Sequence, residues 1–291
     1  MLFQYLANAV VSGAVYALVA VGFGLIYNST RVFHFAHAGV YSASAYVLYF
    51  CLVSIRLNSF LGFLLAVSFS ALLGAALERY VYSPLVERGA SLGVILISSL
   101  GVNTVIVNVI AAIFGNEGKI LQPGAGETVR MGAVFLTRIQ ILQFIVSIVI
   151  CFSLTCVLRF SRFGHLIRAL VDSPTLLGVI GVDVKRMRLK VFAIGSLLAG
   201  IAACLVAFDI GMDPYGGLNM LLTAAVAVII GGLKTIEGAI VGAFGVALIQ
   251  NLAVYQISAR WEQPVTFFVL ILFLLFRPLG MLGRRGRVDA T

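Results

Sequence analysis

The sequence predicts an all-α protein, a polytopic transmembrane bundle of about eight or nine membrane segments with some broken or re-entrant elements. Of the 291 residues, 61% are hydrophobic and 11% are charged, whereas soluble domains carry about 25% charged residues. The charges are clustered, which leaves apolar stretches near the roughly 20 residues that a helix needs to cross hydrocarbon. Such spans leave no loop long enough for a catalytic domain. We therefore expect a single membrane domain over 1–291 that is not an enzyme.

The basic residues predict the orientation of the chain. If residues 159–190 are cytoplasmic and the spans alternate around them, 15 of the 20 Lys and Arg residues lie inside and 5 lie outside, while the acidic residues divide almost evenly. Lys and Arg collect at the cytoplasmic ends of spans, so the net charge of +9 indicates a membrane protein rather than one that binds nucleic acid. The amino terminus is predicted outside and the carboxy terminus inside.

The first apolar stretch, at about 6–27, is predicted to be a retained span because it lacks the basic region and cleavage site of a signal peptide. Small residues recur at every fourth position from Ala9 to Ala17, which allows close helix packing. A neighbouring face is polar within the depth of the lipid and should point at protein or water. It supplies three candidates for a translocation pathway: Asn8, Ser12 and Tyr16.

Six further spans are predicted, at about 33–53, 60–77, 92–114, 139–158, 191–208 and 264–276. The link at 78–89 is predicted to be an inner loop, and residues 209–217 are predicted to form an outer loop. The span at 92–114 carries an unusual density of amides and hydroxyls for a lipid-facing helix. Ser99, Asn103 and Asn108 are therefore pathway candidates, although hydrogen bonding between helices explains them equally well. Residues 115–138 are predicted to form an outer loop with a short hairpin around Val129 to Leu136.

Residues 159–190 form the longest cytoplasmic segment, and we predict a short helix within it. Asp172 or Ser173 can cap a helix that starts at Pro174, and Gly181 can end it after Ile180. The helix is mainly apolar, with Leu176, Leu177, Val179 and Ile180. An apolar patch of this kind is costly to leave in water, so we expect the helix to dock on another protein.

Residues 221–251 are predicted to form a broken or re-entrant element. The only charges in this region are Lys234 and Glu237, which are surrounded by glycines, and the apolar run 221–230 is short for a full crossing. Interrupted helices at membrane depth are tolerated where they line a cavity. Lys234 and Glu237 are three residues apart, so a local ion pair is the default interpretation and contact with the transported solute is the alternative.

Two histidines three residues apart, His34 and His37, could share a metal or relay protons. No third ligand of the right kind lies nearby in the sequence, and structural hydrogen-bonded histidines are the favoured interpretation, so we predict no metal site. His37 is nevertheless retained as a pathway candidate. The run 231–235 ends like a phosphate loop but lacks the required glycines, so no nucleotide site is predicted.

Several motifs in order resemble the LivH-type permeases of branched-chain amino acid ABC importers. Residues 32–37, Val-Phe-His-Phe-Ala-His, followed by Ala45-Tyr46, are similar to the signature INFAHG…GAY of that family. Further similar segments are distributed along nearly the whole chain, at 13–27, 78–85, 98–108, 231–242 and 277–283.

The resemblance implies that the cytoplasmic loop is similar to the EAA loop of ABC importers, whose short helix fits a cleft on the ATPase. The residues implied in coupling are Asp172, Ser173, Pro174, Leu176, Leu177, Gly178 and Gly181. The implied protein is a permease subunit in a bacterial cytoplasmic (inner) membrane, moving solute by alternating access. No cofactor is expected in this chain, because ATP and Mg would be bound by the partner ATPases.

The implied partners are a LivM-like second permease, two LivF/LivG-like ATPases and an extracytoplasmic substrate-binding protein. The cargo stays open between branched-chain amino acids and related small polar solutes such as amides or urea. A stand-alone secondary transporter or channel is the main rival interpretation. It would need an ion-coupling carboxylate deep in a span, and Glu237 is the candidate that the sequence offers.

Overall fold

The computed structural model describes residues 1–121, 128–233, 235–277 and 280–282. It contains helices α1 (Leu2–Thr30), α2 (Ala36–Tyr49), α3 (Ser59–Leu77), α4 (Ser83–Glu87), α5 (Leu92–Phe114), α6 (Arg138–Phe160), α7 (Arg162–Asp172), α8 (Pro174–Val179), α9 (Val184–Asp209), α10 (Gly216–Gly231), α11 (Ile236–Gln256) and α12 (Glu262–Phe276). Two π-helical segments, Phe50–Ser54 and Glu78–Tyr82, continue α2 and α3, and a 3-10 turn at Ala259–Trp261 precedes α12.

The number of membrane segments agrees with the sequence. Within the described ranges, eight helical segments are long and apolar enough to cross a membrane, and α10 is a shorter apolar helix of 16 residues. The strands β1 (Thr128–Met131) and β2 (Val134–Thr137) pair antiparallel and confirm the predicted hairpin.

The chain divides into two compact units that alternate along the sequence. Unit 1 comprises Met1–Gly24, Ala125–Cys151 and Leu222–Thr291, and unit 2 comprises Leu25–Gly124 and Phe152–Leu221. The assignment of one permease domain to 1–291 stays a prediction.

Unit 2 is held together by small residues where α3 meets α9. Gly74 lies against Ser196, and Gly200 lies against Ser70, so closely that a Cβ at either glycine would overlap the serine hydroxyl. Removing side-chain bulk in this way lets two backbones approach and gain packing contacts in a lipid environment. Helix α2 packs against α3, α5 and α9, which explains why most of its residues are buried.

Unit 1 contains the predicted broken element. Helix α10 ends at Gly231, Gly232 follows with φ +115°, and α11 starts at Ile236. The two helices cross on glycines, because Cβ atoms at Gly231 or Gly238 would overlap the carbonyl of the other residue. The interruption and the close crossing together account for the glycines of this segment.

Several helices extend beyond the predicted spans, because they continue through charged residues that were expected to end them. The link at 78–89, predicted as a loop, is largely helical through Glu87. Helix α9 begins at Val184, so four basic residues assigned to the cytoplasmic loop lie on its first two turns: Lys185, Arg186, Arg188 and Lys190. An α-helix rises about 1.5 Å per residue, so these helices exceed the thickness of the hydrocarbon core.

Contacts between loops are consistent with the alternation of spans. Two predicted outer loops meet in unit 2, where Lys119 forms an antiparallel bridge with Met212. In unit 1, the side chain of Gln4 exchanges two hydrogen bonds with the backbone of Phe135, and both residues are predicted outside. The backbone N–H of Met281 donates to Ile230 on the predicted inner side.

Candidate functional site

The predicted cytoplasmic helix exists as α8 and has the predicted ends. The Ser173 hydroxyl accepts the backbone N–H of Leu176 at 3.3 Å, and Pro174 follows the cap. Gly181 adopts φ +86° and its N–H donates to the carbonyl of Gly178 at 3.0 Å, which ends the helix in a conformation that other residues rarely adopt. Asp172 is instead the last residue of α7, so Ser173 is the cap.

The apolar residues at 176–180 form an exposed face, except for one leucine that is buried. Leu176, Val179 and Ile180 are 67–78% exposed, whereas Leu177 is 2% exposed. Leu177 is therefore buried where α8 packs against α7 and α9, and it does not belong to the exposed face. An exposed apolar face on a helix with fixed ends is suited to a protein partner.

Helix α7, which the sequence analysis did not separate, supports α8. The Ser161 hydroxyl caps it by accepting the N–H of Gly164, and its inner face carries Gly164, Ile167 and Leu170. The guanidinium of Arg168 donates to the carbonyl of Leu158 at 2.7 Å at the end of α6. The serine followed by apolar residues at helical spacing was the signal that could have identified this helix.

An ion pair connects the start of α9 to the end of α3. Arg188 Nε and Nη2 donate to the two carboxylate oxygens of Glu78 at 2.6 and 3.2 Å, and the side chains are 14% and 2% exposed. A bidentate pair of this kind fixes orientation as well as distance. A second pair, Lys185 with Glu87 at 2.8 Å, joins the start of α9 to α4 at the exposed surface.

The histidine motif belongs to a buried hydrogen-bonded cluster. His34 Nδ1 lies 2.8 Å from the hydroxyl of Tyr82, which lies 2.9 Å from the hydroxyl of Ser99. The Ser99 oxygen also accepts the backbone N–H of Ala36 at 3.0 Å. This cluster, defined by His34, Tyr82 and Ser99, joins the start of α2 to the π-helical segment and to α5, so Ser99 is held by interhelical bonding.

His37 is fully buried, and its ring centroid lies 5.5 Å from that of His34. Within the ranges that the structure describes, no group of three His, Cys, Asp or Glu residues could hold a metal ion. Burial disfavours charged imidazole, and the hydrogen bond of His34 to Tyr82 is the role that the geometry gives this residue.

The remaining pathway candidates have different environments. Asn8 accepts a hydrogen bond from the amide of Gln4, and Tyr16 interacts electrostatically with Glu262. The carbonyl oxygen of Asn103 is buried without a hydrogen-bond partner among the described residues, whereas Asn108 is exposed and donates to the carbonyl of Thr104 on its own helix.

The last three pathway candidates are Ser12, Glu237 and Lys234. Ser12 is partly buried on α1, and Glu237 lies in the first turn of α11. Lys234 lies outside the described residues, so its predicted ion pair with Glu237 stays a prediction. Among the described candidates, those on α1 and α11 belong to unit 1 and those on α2 and α5 belong to unit 2, so their role in a pathway stays a prediction.

Sequence reasoning missed the most definite polar pairs of the structure. Glu78 was assigned to a loop and Arg188 to a basic segment, and nothing in their spacing of 110 residues indicated that they pair. A second missed group lies in unit 1, where Gln250 on α11 donates to Thr266 on α12. Its signal was an amide within an apolar run, which is unusual at membrane depth.

Comparison with known proteins identifies the family. A family model described as "Branched-chain amino acid transport system / permease component" matches residues 5–274. The chain is 29% identical to the high-affinity branched-chain amino acid transport system permease protein BraD of Pseudomonas aeruginosa, covering 97% of this chain and 95% of that protein. It is 28% identical to LivH of Escherichia coli K12, with the same coverage.

A solved structure shares the fold. PsaBC from Streptococcus pneumoniae, in complex with Fab, has a chain that aligns with a TM-score of 0.53 at 14% identity, covering 96% of this chain and 94% of that one. This likeness concerns the fold alone. With the family model matching most of the residues, the chain belongs to the permease components of branched-chain amino acid transport systems.

Proposed function

We propose that the chain is the permease subunit of a binding-protein-dependent ABC importer that carries branched-chain amino acids across a bacterial cytoplasmic membrane. The family and the names of the relatives support transport of this class of solute. In the described part of the chain, eight helical segments long and apolar enough to cross a membrane support a multi-pass membrane location. The amino terminus lies outside and the carboxy terminus inside, as the distribution of Lys and Arg indicates.

The observation that carries the proposal is the exposed apolar face of α8. Leu176, Val179 and Ile180 project from a helix whose two ends are fixed and whose inner residue, Leu177, anchors it. This face contacts an ATPase subunit, which binds ATP and Mg. Movement of the ATPase then reaches α9, because α8 packs directly against it.

The complete importer would contain a LivM-like second permease, two LivF/LivG-like ATPases and an extracytoplasmic binding protein. Since the binding protein selects the solute, the permease needs to expose a passage on one side at a time rather than a tight site. ATP binding and hydrolysis on the partners shift the equilibrium between the two states.

The test is ATP-driven uptake of radiolabelled leucine, isoleucine and valine by the complex in proteoliposomes. We expect uptake only when the ATPases and the binding protein are present, and Leu176→Asp should abolish uptake together with binding-protein-stimulated ATP hydrolysis. Ile210→Asp is the matched control, because Ile210 is 74% exposed at the opposite, predicted outer end of α9. Proton-driven uptake by this chain alone, or full activity of Leu176→Asp, would refute the proposal.

A further inference from the structure

A group of polar side chains in unit 1 surrounds the start of α12. It has contributions from four helices: Tyr16 on α1, Thr223 on α10, Gln250 on α11, and Glu262, Gln263 and Thr266 on α12. Polar side chains at this density are expensive within a membrane and mark pathways for solutes or ions. We call this group the α12 polar cluster.

The hydrogen bonds of Thr266 determine which side-chain atom of Gln250 has no hydrogen-bond partner. The Thr266 hydroxyl donates its single proton to the backbone carbonyl of Glu262 at 2.7 Å. Thr266 can therefore only accept from Gln250, whose Nε2 lies 2.9 Å away, and the amide orientation follows. The carbonyl oxygen of Gln250, a residue 1% exposed, has no hydrogen-bond partner among the described residues.

Gln263, the residue after Glu262, also donates its amide to a threonine and has a carbonyl oxygen without a partner. Its amide nitrogen donates to the hydroxyl of Thr223 at 3.4 Å, and its carbonyl oxygen is inaccessible and without a partner in the described part of the chain. A buried acceptor without a donor is costly, so two in one cluster require an explanation.

The cluster also carries a negative charge. Glu262 is partly buried, and its carboxylate interacts with Tyr16, which lies midway along α1. A carboxylate accepts several hydrogen bonds, so one tyrosine hydroxyl leaves capacity for further donors. The cluster therefore contains two amide oxygens without a donor and a carboxylate with capacity to spare, and the negative charge of a carboxylate favours a cationic donor.

We propose that the carbonyl oxygens of Gln250 and Gln263 and the carboxylate of Glu262 form a subsite that binds the ammonium group of the amino acid during its passage. An ammonium group has three N–H donors, one positive charge and no acceptor, which matches these three groups. The inference rests on the proposed function, since it names where that solute is recognised. Because both amide oxygens are closed to solvent here, the ammonium group reaches them after α12 shifts relative to α11, as alternating access requires.

The experiment measures leucine uptake and binding-protein-stimulated ATP hydrolysis by the complete complex in proteoliposomes. Gln250→Leu and Gln263→Leu remove an acceptor, and Glu262→Gln removes the charge. Each should lower leucine uptake about tenfold, as expected for loss of one interaction with a charged group, while ATP hydrolysis stays within about twofold.

Two further variants separate recognition from structure. Asn251→Leu is the matched control, because the Asn251 amide donates to Ala247 on its own helix at 2.9 Å. It should leave uptake within about twofold of the unsubstituted chain. Thr266→Val removes the hydrogen-bond partner of Gln250 but leaves its carbonyl oxygen. It should reduce uptake less than Gln250→Leu.

The outcomes are distinguishable. Absence of ATP-driven uptake by the unsubstituted complex would refute the proposed function itself. Uptake by the unsubstituted complex and by all three acceptor variants would overturn the subsite alone. A structural role would appear as equal losses for Thr266→Val and Gln250→Leu, accompanied by parallel losses of ATP hydrolysis and of thermal stability, and would also overturn the subsite.

Discussion

Arg188 and Glu78, 110 residues apart in sequence, form a bidentate ion pair with nitrogen–oxygen distances of 2.6 and 3.2 Å. The pair joins the second turn of α9 to the π-helical end of α3. Helix α9 is also the helix on which α8 packs, so the pair lies between the proposed ATPase contact and the rest of unit 2. Any displacement of the start of α9 is therefore imposed on α3.

Loss of one partner of this pair should be strongly destabilising. Arg188→Ala leaves the carboxylate of Glu78, which is 2% exposed, without its counter-charge. Removing one partner of a buried pair costs about 3–5 kcal/mol. Thermal unfolding in detergent should show this loss, and the double variant Arg188→Met with Glu78→Met should recover part of it.

The neighbouring pair provides the control. Lys185 and Glu87 connect α9 to α4, but their side chains are 70% and 51% exposed. Solvent screens such a pair, so Lys185→Ala should leave the unfolding temperature nearly unchanged. Equal effects of Arg188→Ala and Lys185→Ala would contradict the assignment of the buried pair as the structural joint.

Tyr82→Phe should destabilise unit 2, because it removes the hydroxyl that bonds His34 and Ser99. Two buried polar groups then lose a partner, and each such loss costs about 1–3 kcal/mol. Ser99→Ala removes part of the same network, so the effects of the two changes should be less than additive in a double-mutant cycle. Additive effects would mean that the cluster does not act as one network.

The control for this change lies two residues earlier. Tyr80 belongs to the same π-helical segment but is 72% exposed. Tyr80→Phe should therefore have no measurable effect on thermal unfolding, within the range of about 0.5 kcal/mol that is usual for surface changes.

Replacement of glycine by alanine should have opposite effects on stability at a tightly packed site and at an open site. Gly200→Ala places a methyl group onto the Ser70 hydroxyl, and overpacking of this kind costs about 1–3 kcal/mol. Gly101→Ala lies within α5 with nothing near the new atom, and alanine favours a helix over glycine by roughly 0.5–1 kcal/mol. Unfolding in detergent should show a loss for the first variant and a gain for the second; a neutral Gly200→Ala would refute the tight crossing.

Much of the fold was accessible from sequence because the membrane imposes a simple rule. Long apolar runs must be helices, and the number of membrane segments was predicted on that basis. The hairpin and helix α8 were predicted from local turn and capping residues. The caps of α8 are local, since Ser173 bonds a residue three positions away, so one segment of sequence suffices to predict them.

Long-range partners could not be predicted in the same way. The pairing of Arg188 with Glu78 and of Gln250 with Thr266 depends on how helices pack, and one sequence contains no record of which helices are neighbours. The same limit applies to the pathway candidates on α5, where periodicity did not distinguish the buried Ser99 from the exposed Asn108. Charge was also a poor guide to helix ends, since α9 continues through its four basic residues.

Adjacent leucines on α8 should separate stability from coupling. Leu177 is buried against α7 and α9, so Leu177→Ala should cost about 2–5 kcal/mol of unfolding free energy, as is usual for a core leucine. Leu176 is 67% exposed, so Leu176→Ala should leave thermal unfolding unchanged but weaken the contact with the ATPase. ATP hydrolysis and uptake by the reconstituted complex should therefore fall for Leu176→Ala at full thermal stability. If Leu176→Ala is fully active, or if both variants lose stability equally, α8 does not present the surface that the geometry indicates.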